Sequence, residues 1–429
     1  MDVLIVAGFA IGFFALIMAS VALHEIGHMV PAKIFGVRVP KYFVGFGPTI
    51  WSTTRGETEY GLKWFPLGGF VRLLGMYPPR ADGIQRRTRL SDFADGARES
   101  EWEEITETDV ADQRLFYQKK TWQKLIVMAG GPMMNLLIAF GLLLAVTAGY
   151  GAYRPQTTIS YVQPCIIADT ARTECIASDP LTPAAQAGVK AGDRVVSFNG
   201  VQVSSYNQLS DLIRANLDGP ANIVVDRAGQ TIALPQIRTG INNLPDRLDP
   251  SHQIRAGWLG ISPQQELVKG GPVEVLSDMW TMTQQSVVAL VQFPVKVWHV
   301  VVGLATGQPR DVYDPVSIVG ASQVAGEVAG NVNLPVGQKL AAFGSLLASV
   351  NLFLALFNFV PLPPLDGGHI AGAVYEWLRR KGAALLRRPD PGFFDTAKLL
   401  PIAYGVGGFL LIAGLALVLA DIVSPIQLF

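Results

Sequence analysis

Two histidines and a glutamate near the N-terminus have the spacing of a metal-dependent hydrolase. They form the sequence His24-Glu25-Ile26-Gly27-His28. Residues four apart share one face of a helix, so both imidazoles can reach a single zinc ion. Glu25 then lies beside that ion, where a carboxylate can act as general base toward water. The alternative is a helix cap with incidental histidines. It is disfavoured because the cluster ends a long apolar segment, where ionisable residues are costly.

A third ligand must come from elsewhere, because catalytic zinc takes three protein ligands and keeps one position open. The candidate segment is 358–369, Asn-Phe-Val-Pro-Leu-Pro-Pro-Leu-Asp-Gly-Gly-His, at the end of another apolar stretch. Its prolines stop the helix, and Asp366 can open the next helix as its N-cap. Irregular backbone at membrane depth is tolerated only where it lines a cavity within the protein, as a buried active site does.

The composition is that of a membrane protein. Half of the 429 residues are apolar and 16% are charged, whereas soluble proteins carry about 25% charge. The net charge is zero, so no bulk attraction to nucleic acid is implied. Four segments are apolar and long enough to cross roughly 30 Å of hydrocarbon. They are residues 3–23, 125–149, 341–360 and 399–420.

The placement of lysine and arginine predicts the orientation, since cytoplasmic loops carry an excess of both. Residues 38–124 hold fourteen of them, whereas residues 150–340, about twice as long, hold thirteen. The short connection 379–398 holds six. We therefore predict that the first and third connections are cytoplasmic. The long second connection and both termini are predicted to be extracytoplasmic, in a multi-pass protein of the cell membrane.

A further apolar window, residues 287–305, could be a fifth span. Its polar residues Gln285, Gln292, Lys296 and His299 fall on one face of a helix. We predict an amphipathic helix on the outer membrane surface. The count matters for the metal site, because the first and third spans must run in the same direction for Asp366 to reach the depth of the histidines. A fifth span would place it on the opposite side.

The remaining segments are a β element, a charged loop and a soluble module. Residues 37–78 alternate apolar and polar residues around Arg55-Gly56, which predicts several short strands that form a hairpin or small sheet at the membrane interface. Residues 79–122 are rich in charge and are predicted to be a mobile cytoplasmic loop. Residues 156–240 form a compact α+β module. Its centre, residues 187–200, reads Ala-Gly-Val-Lys-Ala-Gly-Asp-Arg-Val-Val-Ser-Phe-Asn-Gly.

These features together resemble the site-2 protease family of intramembrane zinc metalloproteases. The features are the His-Glu-x-x-His of the first span, the Asn-x-x-Pro-x-Pro-x-Leu-Asp-Gly-Gly after the third, and a PDZ-like module between the second and third. A single PDZ domain is similar to the actinobacterial branch of the RseP-like group. The resemblance runs from residue 23 to the C-terminus. It implies a polytopic α-helical membrane protein with four transmembrane helices, a membrane-associated β element and an inserted extracytoplasmic PDZ domain.

The predicted segments along the chain are the first span with the zinc motif (1–36), the β element (37–78), the charged loop (79–122), the second span (123–150), the PDZ domain (156–240), an extracytoplasmic linker with the amphipathic helix (241–340), the third span with the aspartate motif (341–378), a cytoplasmic loop (379–398) and the fourth span (399–422). A PDZ domain binds extended peptides by strand addition. The alternative is that this one binds no peptide and acts as a size filter.

The resemblance also implies roles for particular residues. Zinc would be held by His24, His28 and Asp366, with Glu25 activating water and Asn358 lying near the scissile peptide. Substrates would be single-pass membrane proteins already trimmed by another protease. Anti-sigma factors and remnant signal peptides are the two classes expected.

The sequence leaves alternative roles open for three further residues, two in the second span and one in the segment 358–369. The stretch Gly131-Pro132-x-x-Asn135 in the second span matches another family motif, and its small residues permit close helix contact. We favour a structural role over a catalytic one for Pro132 and Asn135. His369 is consistent either with a place beside the metal site or with a cap or surface position.

A helical substrate must be unwound and held extended before cleavage, because its own hydrogen bonds hide the carbonyl groups. The edges of the β element are candidates for strand addition. The residues expected to bind substrate there are Gly45, Phe46, Gly47, Phe65, Gly68 and Gly69. The alternative is that the aromatic residues only anchor this element at the membrane interface.

The two cysteines, Cys165 and Cys175, lie ten positions apart in the soluble module. An extracytoplasmic location permits a disulfide between them; the alternative is two free thiols.

A non-catalytic membrane adaptor that uses its PDZ domain as a scaffold is the main competing function. The complete ligand set and Glu25 argue against it. A metal transporter would need polar residues along several spans, and the second and fourth lack them.

Overall fold

The computed structural model describes residues 3–79, 89–167 and 172–426. The chain divides into two compact units, Met1–Ala145 with Val275–Phe429, and Val146–Glu274. The α-helices in chain order are α1 (Val3–Ile34), α2 (Arg89–Trp102), α3 (Glu107–Ala111), α4 (Thr121–Gly149), α5 (Pro183–Ala187), α6 (Tyr206–Ala215), α7 (Pro272–Thr306), α8 (Ile318–Gly330), α9 (Val336–Asn358), α10 (Asp366–Leu385) and α11 (Leu400–Val423).

The strands are β1 (Lys41–Arg55), β2 (Thr58–Arg72), β3 (Ala152–Val162), β4 (Arg194–Phe198), β5 (Val201–Gln202), β6 (Pro220–Ala221), β7 (Ile223–Arg227), β8 (Gln230–Ala233), β9 (Ile237–Arg238), β10 (Gly240–Pro245), β11 (Gln253–Trp258) and β12 (Ile261–Val268). Short 3-10 helices cover Phe116–Gln118 and Thr396–Leu399.

Within the described residues, five helices are long and apolar enough to cross a membrane. They are Val6–Ile34, Thr121–Gly149, Pro272–Thr306, Val336–Asn358 and Thr396–Val423. Four of them overlap the predicted spans, and the fifth, α7, contains the window 287–305. A membrane-embedded helical protein with a β element is therefore confirmed. Length and composition do not decide whether α7 is a fifth span, so the count of four stays a prediction.

Helices α1 and α9 pack side by side in the core of the first unit. The rings of Phe13 and Phe343 meet edge to face with centroids 5.0 Å apart. Further along both helices, the side-chain amide of Asn351 donates to Ser20 Oγ at 3.1 Å. The contacts keep the same order along the two helices, so α1 and α9 run in the same direction.

Helix α8 is fastened to the end of α11 by a buried carboxylate. Asp421 Oδ2 accepts hydrogen bonds from the backbone N–H groups of Ser317 (2.7 Å) and Gly320 (3.1 Å) at the start of α8. Arg310 donates to the other oxygen at 2.5 Å, and both side chains of this ion pair are buried. A negative charge at a helix N-terminus satisfies its free N–H groups and its dipole.

The β element consists of two long strands rather than the several short ones predicted. Residues 51–55 of β1 pair with 58–62 of β2 around the turn. Residues 41–44 lie between two other segments of the sheet, with 69–72 on one side and 59–62 on the other. Residues 69–72 are therefore an outer edge of the sheet. Register shifts bend both strands. Each continuous strand therefore contributes two separate segments to the sheet.

The segment after β2 is folded, and the prediction of a mobile loop is wrong for its described residues. They form α2, α3 and a 3-10 helix. The Glu101 carboxylate accepts from the backbone N–H groups of Gly75, Met76 and Tyr77, each at 2.9 Å. Arg98 is also buried and donates to the carbonyl of Pro78. Charge density suggested disorder, but these charges are used to bind backbone groups.

The second unit is an antiparallel sheet packed against two helices. Its strand order is β12-β3-β4-β7-β8, with β5 beside β4. Helix α6 begins at Ser205, whose side chain caps the N–H of Gln208. It buries Leu209 and Ile213 against the sheet residues Ile159, Phe198 and Val225 among others. The spacing of apolar residues therefore selects which face of α6 is buried.

The ion pair between the buried Asp193 and the partly exposed Arg227 gives this second unit an acid-sensitive contact. Burial by itself would raise the pKa of Asp193, but the Arg227 guanidinium at 2.7 Å and the N–H of Lys190 lower the pKa overall. The pKa in the folded state thus lies below the unfolded value of about 3.9. The stabilisation is present above that value and is lost as the pH falls through the lower, folded pKa.

We expect Arg227→Met to accelerate amide hydrogen exchange in β4 about tenfold at pH 7, since it strands a buried carboxylate. The matched control is Arg194→Met, which breaks an exposed pair with Asp226 and should change exchange by less than about threefold. Below about pH 4 the difference between Arg227→Met and wild type should shrink. Equal amide hydrogen exchange in β4 of both variants at pH 7 would contradict a stabilising role for the Asp193–Arg227 contact.

Candidate metal centre

Helix α1 places His24 and His28 one turn apart with their rings turned toward each other. Their Nε2 atoms lie 3.2 Å apart. Asp366 Oδ2 lies 3.3 Å from each of these nitrogens. Two imidazoles from the first helix and a carboxylate more than three hundred positions later therefore converge on one point, as a tridentate metal site requires.

The loop between α9 and α10 brings Asp366 to this point. Helix α9 ends at Asn358, and Asp366 is the first residue of α10. A Cβ at Gly367 would overlap the carbonyl of Val360, and one at Gly368 would lie 2.6 Å from Pro363 N. The two glycines thus permit a turn tight enough to direct the preceding carboxylate toward α1.

Helix α4 packs across the two histidines and orients one of them. His28 Nδ1 lies 2.8 Å from the carbonyl oxygen of Val127. A backbone carbonyl only accepts, so the N–H is on Nδ1 and the Nε2 lone pair is left for a metal. His24, one turn earlier on α1, is adjacent to Gly131, one turn later on α4. The two helices therefore run in opposite directions at the site.

Two observations show that the donor set fits zinc. Asp366 Oδ2 is buried and has no hydrogen-bond partner in the part of the chain that the structure describes, which is costly for a carboxylate unless a cation binds it. A Cβ at Gly131 would overlap His28 Nε2 and lie 2.6 Å from His24 Nε2. Glycine thus keeps free the space where the ring nitrogens meet. Two imidazole nitrogens, a carboxylate oxygen and an open position are typical of catalytic zinc.

Glu25 lies between this cluster and the β element. Its Oε2 accepts a hydrogen bond from the backbone N–H of Val71 at 2.9 Å. A Cβ on Gly69 would lie 3.3 Å from Glu25 Cγ. On the neighbouring strand, Tyr42 Oη donates to the carbonyl of Ala22 at 2.8 Å. The outer strand of the sheet is therefore fixed directly against the helix that carries the histidines.

The structure places the residues expected to bind substrate at different positions along the sheet. Gly69 reaches Glu25 as described. Phe46 pairs with Phe65, and both rings are about half exposed, at 49% and 54%. Gly68 has a φ of +99°, and a Cβ there would contact the ring of Phe46. Gly45 and Gly47 also have positive φ, so the kink in β1 that contains Phe46 depends on glycine. Asn358 is the last residue of α9, before the loop that leads to Asp366.

Two asparagines are buried in the helical core next to the site. Asn135 is 1% exposed, and its Oδ1 has no hydrogen-bond partner among the described residues. It follows Pro132 on α4, one turn beyond Gly131. Asn351 is fully buried, and its amide also donates to the carbonyl of Leu347.

In the second unit, Cys165 and Cys175 form a disulfide with Cα atoms 6.0 Å apart.

The sequence profile of peptidase family M50 matches residues 12–385 of this chain. The chain belongs to this family. Among similar proteins, the zinc metalloprotease Rip1 of Mycobacterium tuberculosis is 34% identical, over 97% of this chain and 98% of its own length. Rip1 of Mycolicibacterium smegmatis is 33% identical over 98% and 99%. The metalloprotease MmpA of Caulobacter vibrioides is 28% identical over 92% and 91%.

Membership of peptidase family M50 confirms the expectation of a zinc-dependent metalloprotease of the site-2 type. It also confirms the membrane setting at the level of the family. The match spans both segments that supply the converging side chains, the end of α1 and the start of α10. The three converging side chains thus come from the two parts of the chain singled out by their spacing and residue types, and both parts lie within the matched range.

Sequence reasoning missed several residues that shape the site. Gly27 and Gly130 approach so closely that a Cβ on either would overlap the backbone of the other helix. The carbonyl of Val127 and the N–H of Val71 are backbone groups, so no side-chain pattern could identify them. The small residues from Gly131 onward predict close helix contact there, and Gly130, which makes the contact with Gly27, extends the same signal by one position.

Proposed function

We propose that this M50 peptidase hydrolyses peptide bonds of single-pass membrane proteins at or within the bilayer. The observation that carries the proposal is the convergence of His24 Nε2, His28 Nε2 and Asp366 Oδ2 beside Glu25. The histidines are on a helix that is apolar enough to lie in a membrane, and Asp366 follows the end of another such helix, α9. A buried ionisable cluster of this kind in a membrane helix is costly and indicates function.

His24, His28 and Asp366 are proposed to hold the zinc ion. When bound, the ion polarises the substrate carbonyl and makes water acidic enough to ionise near neutral pH. Glu25 takes a proton from the attacking water and later delivers it to the leaving amine. The carbonyl of Val127 fixes the tautomer and orientation of His28 throughout.

A topology of four spans agrees with the direction of the helices. Helices α1 and α9 run in the same direction with α4 between them in sequence, so the chain from α4 to α9 begins and ends on the same side. If α7 crossed the bilayer, α8 would have to cross back. Its 13 residues span about 20 Å, less than the roughly 30 Å of hydrocarbon.

The packing of α7 also agrees with a position along one membrane surface. Near its start Val275 packs with Leu143, and later Val300 packs with Leu417. Leu143 lies six residues before the end of α4, and Leu417 lies six residues before the end of α11. In a topology of four spans, both helices end on the same side of the membrane. We infer that α7 runs across the extracytoplasmic ends of the spans as an amphipathic helix.

The orientation of the chain and the class of its substrates are further parts of the proposal. The excess of Lys and Arg in residues 38–124 favours a cytoplasmic location for that segment. Both termini and the second unit are then extracytoplasmic. We propose that the second unit is a PDZ domain that selects substrates trimmed by an earlier protease, such as anti-sigma factors and remnant signal peptides. Its antiparallel sheet, with β12 as an outer strand and α6 alongside, agrees with that fold.

The outer strand of the β element is the proposed substrate support. Residues 69–72 are at an edge of the sheet and next to Glu25. An extended substrate segment that pairs with this edge would have its carbonyl groups held beside the general base. Phe46 and Phe65, both half exposed, would contact the side chains of that segment or the lipid.

Co-expression with candidate single-pass proteins tests the function. We expect wild type to accumulate the cleaved fragment and Glu25→Gln to reduce the rate by about 10²- to 10⁴-fold, as loss of a general base does. Zinc content should stay the same in both. Fragment accumulation with Glu25→Gln at the wild-type rate would show that the hydrolytic mechanism through Glu25 is wrong. It would favour a non-catalytic PDZ adaptor whose bound substrate is cut by another protease.

A further inference from the structure

The general base and the outer strand of the sheet are joined by a single backbone hydrogen bond. Glu25 Oε2 accepts from Val71 N at 2.9 Å. Val71 is directly opposite Tyr42 in the antiparallel pairing. Because the N–H of Val71 points to Glu25, it does not point to Tyr42. Val71 and Tyr42 are therefore a pair of residues that exchange no hydrogen bond between the two strands. The N–H of Val71 therefore faces outward from the sheet edge.

We propose that the backbone N–H of Val71 is a positioning group that holds Glu25 for catalysis. The inference rests on the proposed function, because it concerns the general base of that reaction. A hydrogen bond to one carboxylate oxygen fixes the rotation of the carboxyl group, so the other oxygen is presented to the water that it deprotonates. A base must lie within hydrogen-bond reach of that proton, and a misplaced base is far less effective.

Packing around Glu25 supports a fixed rather than a mobile side chain. A Cβ at Gly69 would lie 3.1 Å from the carbonyl of Phe43 and 3.3 Å from Glu25 Cγ. Glycine thus allows the strand to approach α1 closely enough for the Val71 bond. Tyr42, which donates to the carbonyl of Ala22 one turn before Ile26, fastens the neighbouring strand to the same helix. The sheet is consequently tied to α1 at the general base itself and at Ala22, three residues before it.

Val71→Pro removes this donor with little disturbance of the sheet. Proline is accepted in edge strands where the N–H faces away from the partner strand, and the preceding residue is already extended. The comparison variant is Val71→Ala, which shortens the same side chain but keeps the N–H. We expect kcat of Val71→Pro to fall at least about tenfold below that of Val71→Ala, the loss typical of one hydrogen bond to a charged group. KM and zinc content should agree between the two variants.

A second measurement needs neither proline nor catalysis. Hydrogen exchange resolved to single amides in the zinc-free protein should show Val71 protected in wild type. In Glu25→Ala the Val71 amide should exchange at least about tenfold faster, whereas the amide of Phe70, which faces β1, should change little. Glu25→Gln keeps an oxygen acceptor and should retain part of the protection.

The outcomes separate this inference from the proposed function. If wild type cleaves no membrane substrate, the proposed function fails, and the exchange experiment still decides whether the contact exists. If wild type cleaves but kcat is the same in Val71→Pro and Val71→Ala, the positioning role is overturned. A rise in KM with unchanged kcat overturns it as well, because the N–H would then serve the substrate rather than Glu25.

Discussion

Replacing Gly131 with leucine is expected to abolish zinc binding and proteolysis together. A Cβ at this position would overlap His28 Nε2 and lie 2.6 Å from His24 Nε2, so the rest of a leucine side chain would occupy the space where the ligand atoms meet. Withdrawal of helix α4 to make room would break the close backbone contact between Gly130 and Gly27. Interiors packed this tightly do not absorb an added side chain without displacement of their neighbours.

The matched control for this substitution lies on the same helix. A Cβ at Gly141 would have nothing within 4 Å, and leucine is a better helix former than glycine. We expect Gly141→Leu to bind one zinc ion and cleave substrate at a rate close to that of wild type. Zinc stoichiometry of the purified proteins, measured together with fragment release, checks the pair. Full zinc occupancy in Gly131→Leu would contradict the location of the metal.

Asp366→Ala should weaken zinc binding by more than about 100-fold, since loss of even an outer-shell partner costs 10–100-fold. The remaining pair of imidazoles cannot form the three-ligand site of catalytic zinc. Asp366→Ala should lose both zinc and cleavage, whereas Glu25→Gln should lose cleavage and keep zinc. This contrast separates a ligand from a base. The measurement is competition for zinc against a chelator of known affinity, in detergent, with wild type alongside.

An unchanged zinc affinity in Asp366→Ala would show that another residue completes the site. His369, three positions later on α10, is the nearest alternative donor in sequence. Together with Pro363, Pro364 and Tyr404 it lines a cavity of about 530 Å³ next to the loop. The double variant Asp366→Ala with His369→Ala would then decide between them.

The sequence by itself determined the chemistry of the site. The spacing of His24 and His28 requires a shared helix face, because a helix turns once in about 3.6 residues. The prolines of residues 358–369 require a break in the third span, and Asp366 follows that break. The apolar segments and the low charge content require a membrane. Each of these inferences depends on local periodicity or composition, which a sequence shows directly.

The sequence did not predict the structure of segments whose folding depends on backbone groups elsewhere in the chain. Residues 79–122 carry many charges and were predicted to be mobile, yet Glu101 binds three successive backbone N–H groups. Charge content cannot distinguish a carboxylate in water from one that binds backbone. The two long strands of the β element were likewise predicted as several short ones. Bulges interrupt the alternation of apolar residues while the strand itself continues.

Only the tertiary structure decided how close the elements come and which backbone groups serve the site. The contact of Gly27 with Gly130, the carbonyl of Val127 at His28 and the N–H of Val71 at Glu25 each join residues far apart in the chain. A backbone group is the same in every residue, so its role is set by position alone. The identities of the catalytic groups are therefore written in the sequence, whereas their orientation exists only in the folded chain.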